Sequence, residues 1–135
     1  MKRCGQLYFL LLSFLCIQAE SYSSDISEIP EGIITAIRTG NASALAAYFN
    51  TSLELAVLDK EDIYTKQQAE LIMKDFFIRN VPASFNILHK GGKEGSQYAI
   101  GNLETSGGSY RVTILVKLKD NKPLIHQLRF ERDGE

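Results

Sequence analysis

Two histidines, His89 and His126, are the side chains of this chain best suited to general acid–base chemistry. An imidazole changes charge between about pH 5 and 8, so it can take up and return a proton near neutral pH. Strict alternation along a strand places His89 on the same side as Phe85. The same rule places His126 on the side of Leu128 and Phe130. Both are therefore predicted to face an apolar, concave side of a sheet, either as catalytic candidates or as hydrogen-bonded structural histidines.

Three tyrosines extend this candidate site. Tyr64, Tyr98 and Tyr110 each combine an apolar ring with a polar tip, a combination typical of the mouth of a ligand pocket. We therefore predict a ligand-binding set made of these tyrosines together with His89 and His126. The alternative for each ring is packing in the core.

The other polar patterns give no cofactor or metal site. The two histidines lack the Cys or carboxylate spacing of a zinc site. The glycine-rich segment 91–95 joins two predicted strands, whereas a phosphate-binding loop opens a helix. Arg111 and Lys117 alternate outward on one strand, with Lys119 beyond them, so they either bind an anion or a partner or only solvate the sheet.

Length and charge limit the classes of protein. The chain has 135 residues and a formal net charge of −1, and its pI is about 6.1. That length corresponds to one domain. A nucleic-acid-binding domain is typically basic with clustered Lys and Arg, so no nucleic-acid partner is predicted.

The N-terminus has the order of a secretory signal peptide. Lys2 and Arg3 precede the apolar segment 7–17, after which polarity rises abruptly. The apolar segment is shorter than the roughly 20 residues that span a bilayer. The protein is therefore predicted to be exported to the periplasm or beyond, with no membrane span in the mature chain.

The signal peptide can be cleaved after Ala19 or after Ser21, because small residues at the cleavage site favour cleavage. We place the signal peptide at 1–21 and a single domain at 22–135. The alternative is lipidation at Cys16, which would tether the mature protein to a membrane.

Hydrophobic periodicity predicts three helices and five strands. The helices are predicted around 29–37, over 42–49 and from 65 to 79, with Gly40 as a stop, Asn41 as a cap, and Thr65 with Gln68 as a capping box. The strands are predicted at 53–58, 84–90, 97–105, 110–118 and 124–131, with a short extended piece at 63–64.

The direction of several side chains follows from these periods. Val112, Ile114 and Val116 are predicted to face the core, and Lys117 to face solvent. The third helix is predicted to bury Phe76. Gly101, inside a strand, indicates a bulge or a close backbone approach.

The order α-α-β-α-β-β-β-β and several clusters resemble a known superfamily. The clusters are Lys74-Asp75-Phe76-Phe77, Phe85 with His89-Lys90-Gly91, residues 98–103, Tyr110-Arg111-Val112 and Leu128-Arg129-Phe130-Glu131. They resemble the nuclear transport factor 2-like, or cystatin-like, superfamily, and more closely a family of small secreted Bacteroidetes proteins with a domain of unknown function. The resemblance implies an α+β fold in which a curved antiparallel sheet wraps a long helix and leaves a conical cavity.

That superfamily includes isomerases, dehydratases, carriers and interaction modules, so the fold alone does not assign an activity. We expect a non-enzymatic exported module that binds a small ligand, a peptide or a protein through the concave cavity or the outer sheet face. A homodimer through that face is expected if Leu115 is exposed. The alternative is a small isomerase- or hydrolase-like enzyme using His89 or His126, which requires a pocket of roughly 300 Å³ or more with a histidine and a second polar group converging.

Overall fold

The computed structural model of the protein describes residues 28–134. The predicted signal peptide, both candidate cleavage sites and the alternative of lipidation at Cys16 lie outside these residues. The elements, in chain order, are α1 (Glu31–Thr39), α2 (Ala42–Ala46), β1 (Phe49–Val57), β2 (Lys60–Thr65), α3 (Lys66–Arg79), β3 (Pro82–Lys93), β4 (Ser96–Thr105), β5 (Gly108–Lys119) and β6 (Lys122–Arg132). None of the helices in this described part is long and apolar enough to cross a membrane.

The first two helices meet at the predicted stop and cap. Gly40 takes the left-handed conformation, with φ 67°, that commonly ends a helix. The side-chain oxygen of Asn41 accepts a hydrogen bond from the Ala44 N–H at 3.0 Å. The prediction that α2 runs to Phe49 is wrong, because α2 ends at Ala46 and Phe49 begins β1. Phe49 is buried, and a buried apolar residue fits a helix stripe and a strand equally well.

Helix α3 begins at the predicted capping box. The Thr65 hydroxyl accepts from the Gln68 N–H at 3.2 Å, and the Gln68 side chain accepts from the Thr65 N–H at 3.0 Å. Phe76 is buried, as its helical spacing predicts. The helix ends at Asn80, whose side-chain amide donates to the Phe76 carbonyl at 3.1 Å.

All six strands form one sheet in the order β2-β1-β6-β5-β4-β3. Strands β3 to β6 pair antiparallel with their chain neighbours, which confirms the predicted meander. Strand β1 pairs antiparallel with β2 and parallel with β6, so the meander is extended by a β1–β2 hairpin.

The observed order is α-α-β-β-α-β-β-β-β, and the predicted order lacks β2. We expected a charged turn and a short extended piece where a six-residue strand forms. Five of its six residues are exposed at the sheet edge. Charged side chains are common on edge strands because they discourage pairing with other chains, and they hide the hydrophobic alternation of the strand.

The helices cover one side of the sheet, which we call the inner face, and the core fills it. Val112, Ile114 and Val116 are 0% exposed, as predicted. The ring of Phe76 lies 5.1 Å from the ring of Tyr110 and 5.0 Å from that of Phe130, between their centroids. Aromatic and aliphatic side chains therefore fill the middle of the inner face, and a depression of about 250 Å³ remains where α1 meets β3 and β4.

Candidate functional site

A β-bulge in β3 reverses the direction predicted for His89. Ile87 is opposite Gly101 on β4, but His89 is opposite Ile100, so Leu88 is an extra residue. Because side chains alternate with a period of two, one extra residue moves the following side chains to the other face. His89 is exposed on the side of the sheet away from the helices, which we call the outer face. The prediction that it faces the concave side is wrong.

A second bulge falls at His126 itself. Leu115 is opposite Gln127 and Val116 is opposite Ile125, which leaves His126 as the extra residue of β6. Ile125 is buried, whereas His126 is half-buried. Its Nδ1 lies 3.0 Å from the Leu124 carbonyl oxygen. The alternation that grouped His126 with Leu128 on the inner face is therefore also wrong.

The structure does not bring the predicted ligand-binding set together. Tyr110 is fully buried, and its hydroxyl donates to the Asn80 side-chain oxygen at 2.7 Å. The hydroxyl thus satisfies a buried amide at the end of α3, and the prediction that Tyr110 lines a pocket mouth is wrong. Tyr64 is half-buried on β2 and packs against the core. Tyr98 is exposed.

Four surface depressions in the described part of the chain lie away from both histidines. One of about 550 Å³ is formed where the start of α2 meets α3, and Ala42, Leu71, Lys74, Phe77 and Ile78 are among its lining residues. Others of about 420, 250 and 240 Å³ lie elsewhere, and neither histidine lines any of the four. Within residues 28–134, no three His, Cys, Asp or Glu side chains are grouped to hold a metal ion.

The outer face presents an apolar row at its centre. Tyr98 is opposite Gly91 and Leu115, and Leu115 is in turn opposite Gln127. Ile100 lies one outward position along β4 from Tyr98. We call Tyr98, Ile100 and Leu115 the central outer patch. Tyr98 is 42% exposed, and the other two are half-buried.

Polar side chains occupy the outer face towards the β4–β5 turn. Glu104 accepts hydrogen bonds from the Ser109 hydroxyl and from the Asn102 amide, the latter at 2.8 Å. These bonds, that of Ser109 foremost, lower the pKa of the Glu104 carboxyl because they stabilise its charged form, while desolvation opposes them.

An arginine joins two acidic side chains further across the same face. The guanidinium of Arg129 lies 2.9 Å from Glu131 and 3.2 Å from Glu61. The hydrogen bond to Glu131 is the largest cause that raises the pKa of Arg129. The charges in this part of the face are therefore balanced by one another.

Sequence reasoning missed the central outer patch as a unit. Leu115 was considered as a dimer contact, but Ile100 was not singled out and Tyr98 was grouped with the buried Tyr110. Cross-strand register unites the three residues, and it is set by the two-residue hairpin turns. The sequence did contain a signal for this patch. The two-residue turns at 94–95 and 106–107 fix the register of β4 against β3 and β5, and that register aligns the three side chains.

The fold defines the class of protein. The chain is similar to the solved structure "Rd1NTF2_04 with long sheet", at 15% identity and a TM-score of 0.60, over 74% of this chain and 94% of that chain. A structural similarity at this level of sequence identity shows a shared fold and nothing further. The protein is thus an α+β domain with the curved sheet of the nuclear transport factor 2-like fold.

The particular family follows from closer similarities. The family described as Domain of unknown function (DUF4783) matches residues 30–131, and the chain belongs to it. A family protein from Bacteroides ovatus ATCC 8483 is 35% identical, with a TM-score of 0.76, over 80% of this chain and 98% of that chain. A family protein from Bacteroides uniformis ATCC 8492 is 34% identical, with a TM-score of 0.76, over 80% of this chain and 100% of that chain. No curated protein matches the chain.

Proposed function

We propose that this protein is an exported, non-enzymatic binding module that contacts its partner through the outer face of the sheet. Export is inferred from the basic, then apolar, then polar order of the N-terminal residues. Binding through the outer face is inferred from the distribution of apolar side chains between the two faces. The protein would act by presenting a surface, without a bound cofactor.

One observation carries the proposal: core side chains fill the middle of the inner face, whereas the middle of the outer face keeps an apolar row. Val112, Ile114 and Val116 project inward from β5 and are fully buried. Leu115, between them in sequence, projects outward next to Tyr98. An aromatic and an aliphatic side chain at the centre of a face with a polar rim are typical of a contact surface.

The alternative of a small cavity enzyme finds less support. An acid–base site needs a histidine and a second polar group converging in a pocket. His89 is exposed on an edge strand, and β4 and β5 separate that strand from the one that carries His126. The Nδ1 of His126 faces a backbone carbonyl of its own strand.

A second copy of this chain is one candidate partner for the outer face. Pairing through this face would bring Leu115 and Tyr98 of two copies together and remove apolar area from water. Sedimentation equilibrium of the mature protein measures this directly. A dimer that Leu115→Glu converts to a monomer would identify the second copy as the partner.

The proposal is tested by native mass spectrometry of protein purified from the envelope of its own host. We expect the wild type to retain a bound molecule or to be an oligomer. The Leu115→Glu variant should lose the bound molecule or become a monomer. The control, Leu71→Glu, introduces the same charge at an exposed position of α3 and should retain it. Thermal melts show that both variants fold. The proposal is overturned if the wild type is a monomer with no bound molecule. It is also overturned if only Leu71→Glu loses the bound molecule or the oligomer.

A further inference from the structure

The hairpin turns bring four lysines to one end of the outer face. Lys93 is opposite Ser96, and Ser96 is opposite Lys117. Lys119 is opposite Lys122 across a turn whose two central residues have φ of 52° and 63°, the left-handed conformation of a two-residue hairpin. Residues opposite one another share a face, and Ser96 alternates with the outward Tyr98. We call these four lysines the basic end.

The lysines of the basic end form no ion pairs within the described part of the domain. All four side chains are exposed, and no ion pair formed within residues 28–134 includes any of them. The Lys119 ammonium donates to the side-chain oxygen of Asn50 at 3.5 Å, a long bond to a neutral group. Two acidic residues, Glu94 and Asp120, lie in the adjoining turns. The basic end therefore carries a net positive charge on a chain whose formal charge is −1.

An aromatic ring lies beside these charges. A Cβ atom placed on Gly91 would be 2.9 Å from a ring carbon and from the hydroxyl oxygen of Tyr98, so the ring lies over the Gly91 backbone. Only glycine leaves room for that arrangement. The ring is supported on one side by strand β3, and Tyr98 remains 42% exposed to solvent.

The register places the ring beside two of the lysines, which lie on either side of Ser96. Lys93 and Lys117 are the diagonal neighbours of Tyr98 on the strands to either side, each about 7–8 Å away along the sheet. They are two strands apart, or about 10 Å. An exposed ring with two cations towards the same end of the sheet, one on each neighbouring strand, fits a chain molecule in which rings alternate with anionic groups.

We propose that the basic end binds an acidic polysaccharide, with a sugar ring stacked on Tyr98 and its carboxylate or sulfate groups bound by Lys93 and Lys117. This inference rests on the proposed function, since it names a ligand for the same outer face. An anionic bilayer fits the surface less well, because the two outward leucines nearest these lysines, Leu115 and Leu124, are half-buried and offer little apolar area for insertion.

The test is isothermal titration of the mature protein with a hexamer of galacturonic acid at low and moderate salt, with neutral dextran oligomers as the control ligand. We expect the acidic hexamer alone to bind. Replacing Lys93 and Lys117 together by Gln should weaken binding about two- to fivefold per lysine, the effect of losing one exposed ion pair. Tyr98→Phe should bind as the wild type does, and Tyr98→Ala should bind at least about threefold more weakly.

A matched charge control separates a site from general attraction. Replacing Lys66 and Lys74 on α3 by Gln removes the same total charge from another surface and should leave the affinity for the hexamer unchanged. An equal loss in both double variants overturns the proposal, as does the absence of hexamer binding. Binding to vesicles of anionic phospholipid, or to oligothymidylate, with no binding of the hexamer also overturns it. Melting temperatures equal to that of the wild type show that the lysine variants fold.

Failure of this inference is distinguishable from failure of the proposed function. If the hexamer does not bind but Leu115→Glu still abolishes the complex isolated from the host envelope, the outer face binds something other than an acidic glycan. If the complex survives Leu115→Glu as well, the outer face is not the contact surface.

Discussion

Replacing Phe76 by Ala tests the packing that fills the middle of the inner face. The ring is 3% exposed and lies within 5.7 Å of the rings of Phe77, Tyr110 and Phe130, between centroids. Truncating a buried Phe to Ala costs about 3–5 kcal/mol, because apolar area is lost and a cavity remains. Aromatic pairs add about 0.5–1.5 kcal/mol beyond area burial, so three such contacts place the expected loss in the upper half of that range.

The loss is measured by equilibrium urea unfolding of the mature domain, followed by far-ultraviolet circular dichroism. In a domain of this size, 3 kcal/mol corresponds to a melting temperature lower by at least about 12 °C. The matched control is Ile78→Ala, two residues further along the same helix and 69% exposed. It should change the free energy of unfolding by no more than about 0.5 kcal/mol. Equal losses in the two variants, or a loss below about 1 kcal/mol for Phe76→Ala, would refute the assigned facing of α3.

Three further predictions concern other contacts, each measured by the same urea titration. Tyr110→Phe should cost about 1–3 kcal/mol, because the Asn80 side-chain oxygen stays buried without its donor; an unchanged midpoint would show that this bond is dispensable. Gly101→Ala should cost about 1–3 kcal/mol, since its Cβ would be 2.6 Å from a ring carbon of Phe85, and a neutral effect would contradict that close approach. Glu104→Gln should lower stability near pH 7. Because the folded-state pKa of Glu104 is lowered, its contribution is present above the ordinary value of 4.5 and is lost as the pH falls through the folded value. A difference between variant and wild type that persists undiminished at pH 3 would disprove this.

Local chemistry predicted the helix boundaries wherever a cap lies next to them. Gly40 and Asn41 end one helix and begin the next, and Thr65 with Gln68 begins α3, as their sequence spacing predicts. These signals succeed because a cap is a contact between residues no more than about four positions apart. Where no cap stood, as at Phe49, the boundary was missed.

The candidate site was less accessible to sequence reasoning. His89 and His126 were assigned to the inner face by alternation, and each is affected by one extra residue in its own strand. The sequence around Leu88 shows no feature that marks the bulge, since the glycine that indicates a close approach, Gly101, lies on the paired strand. A bulge depends on both partners of a ladder, so one strand's pattern does not reveal it.

By itself, the sequence determined the α+β class, the three helices, the meander and the inward row of β5, because each depends on period and on short-range turn chemistry. The tertiary structure alone decided the pairing of β1 with β2 and β6, the direction of the two histidines, and the meeting of Tyr98 with Lys93 and Lys117. The reason is that side chains alternate every residue along a strand, so a register shift of one position exchanges the two faces. Register is settled only when the strands pair and curve around the core.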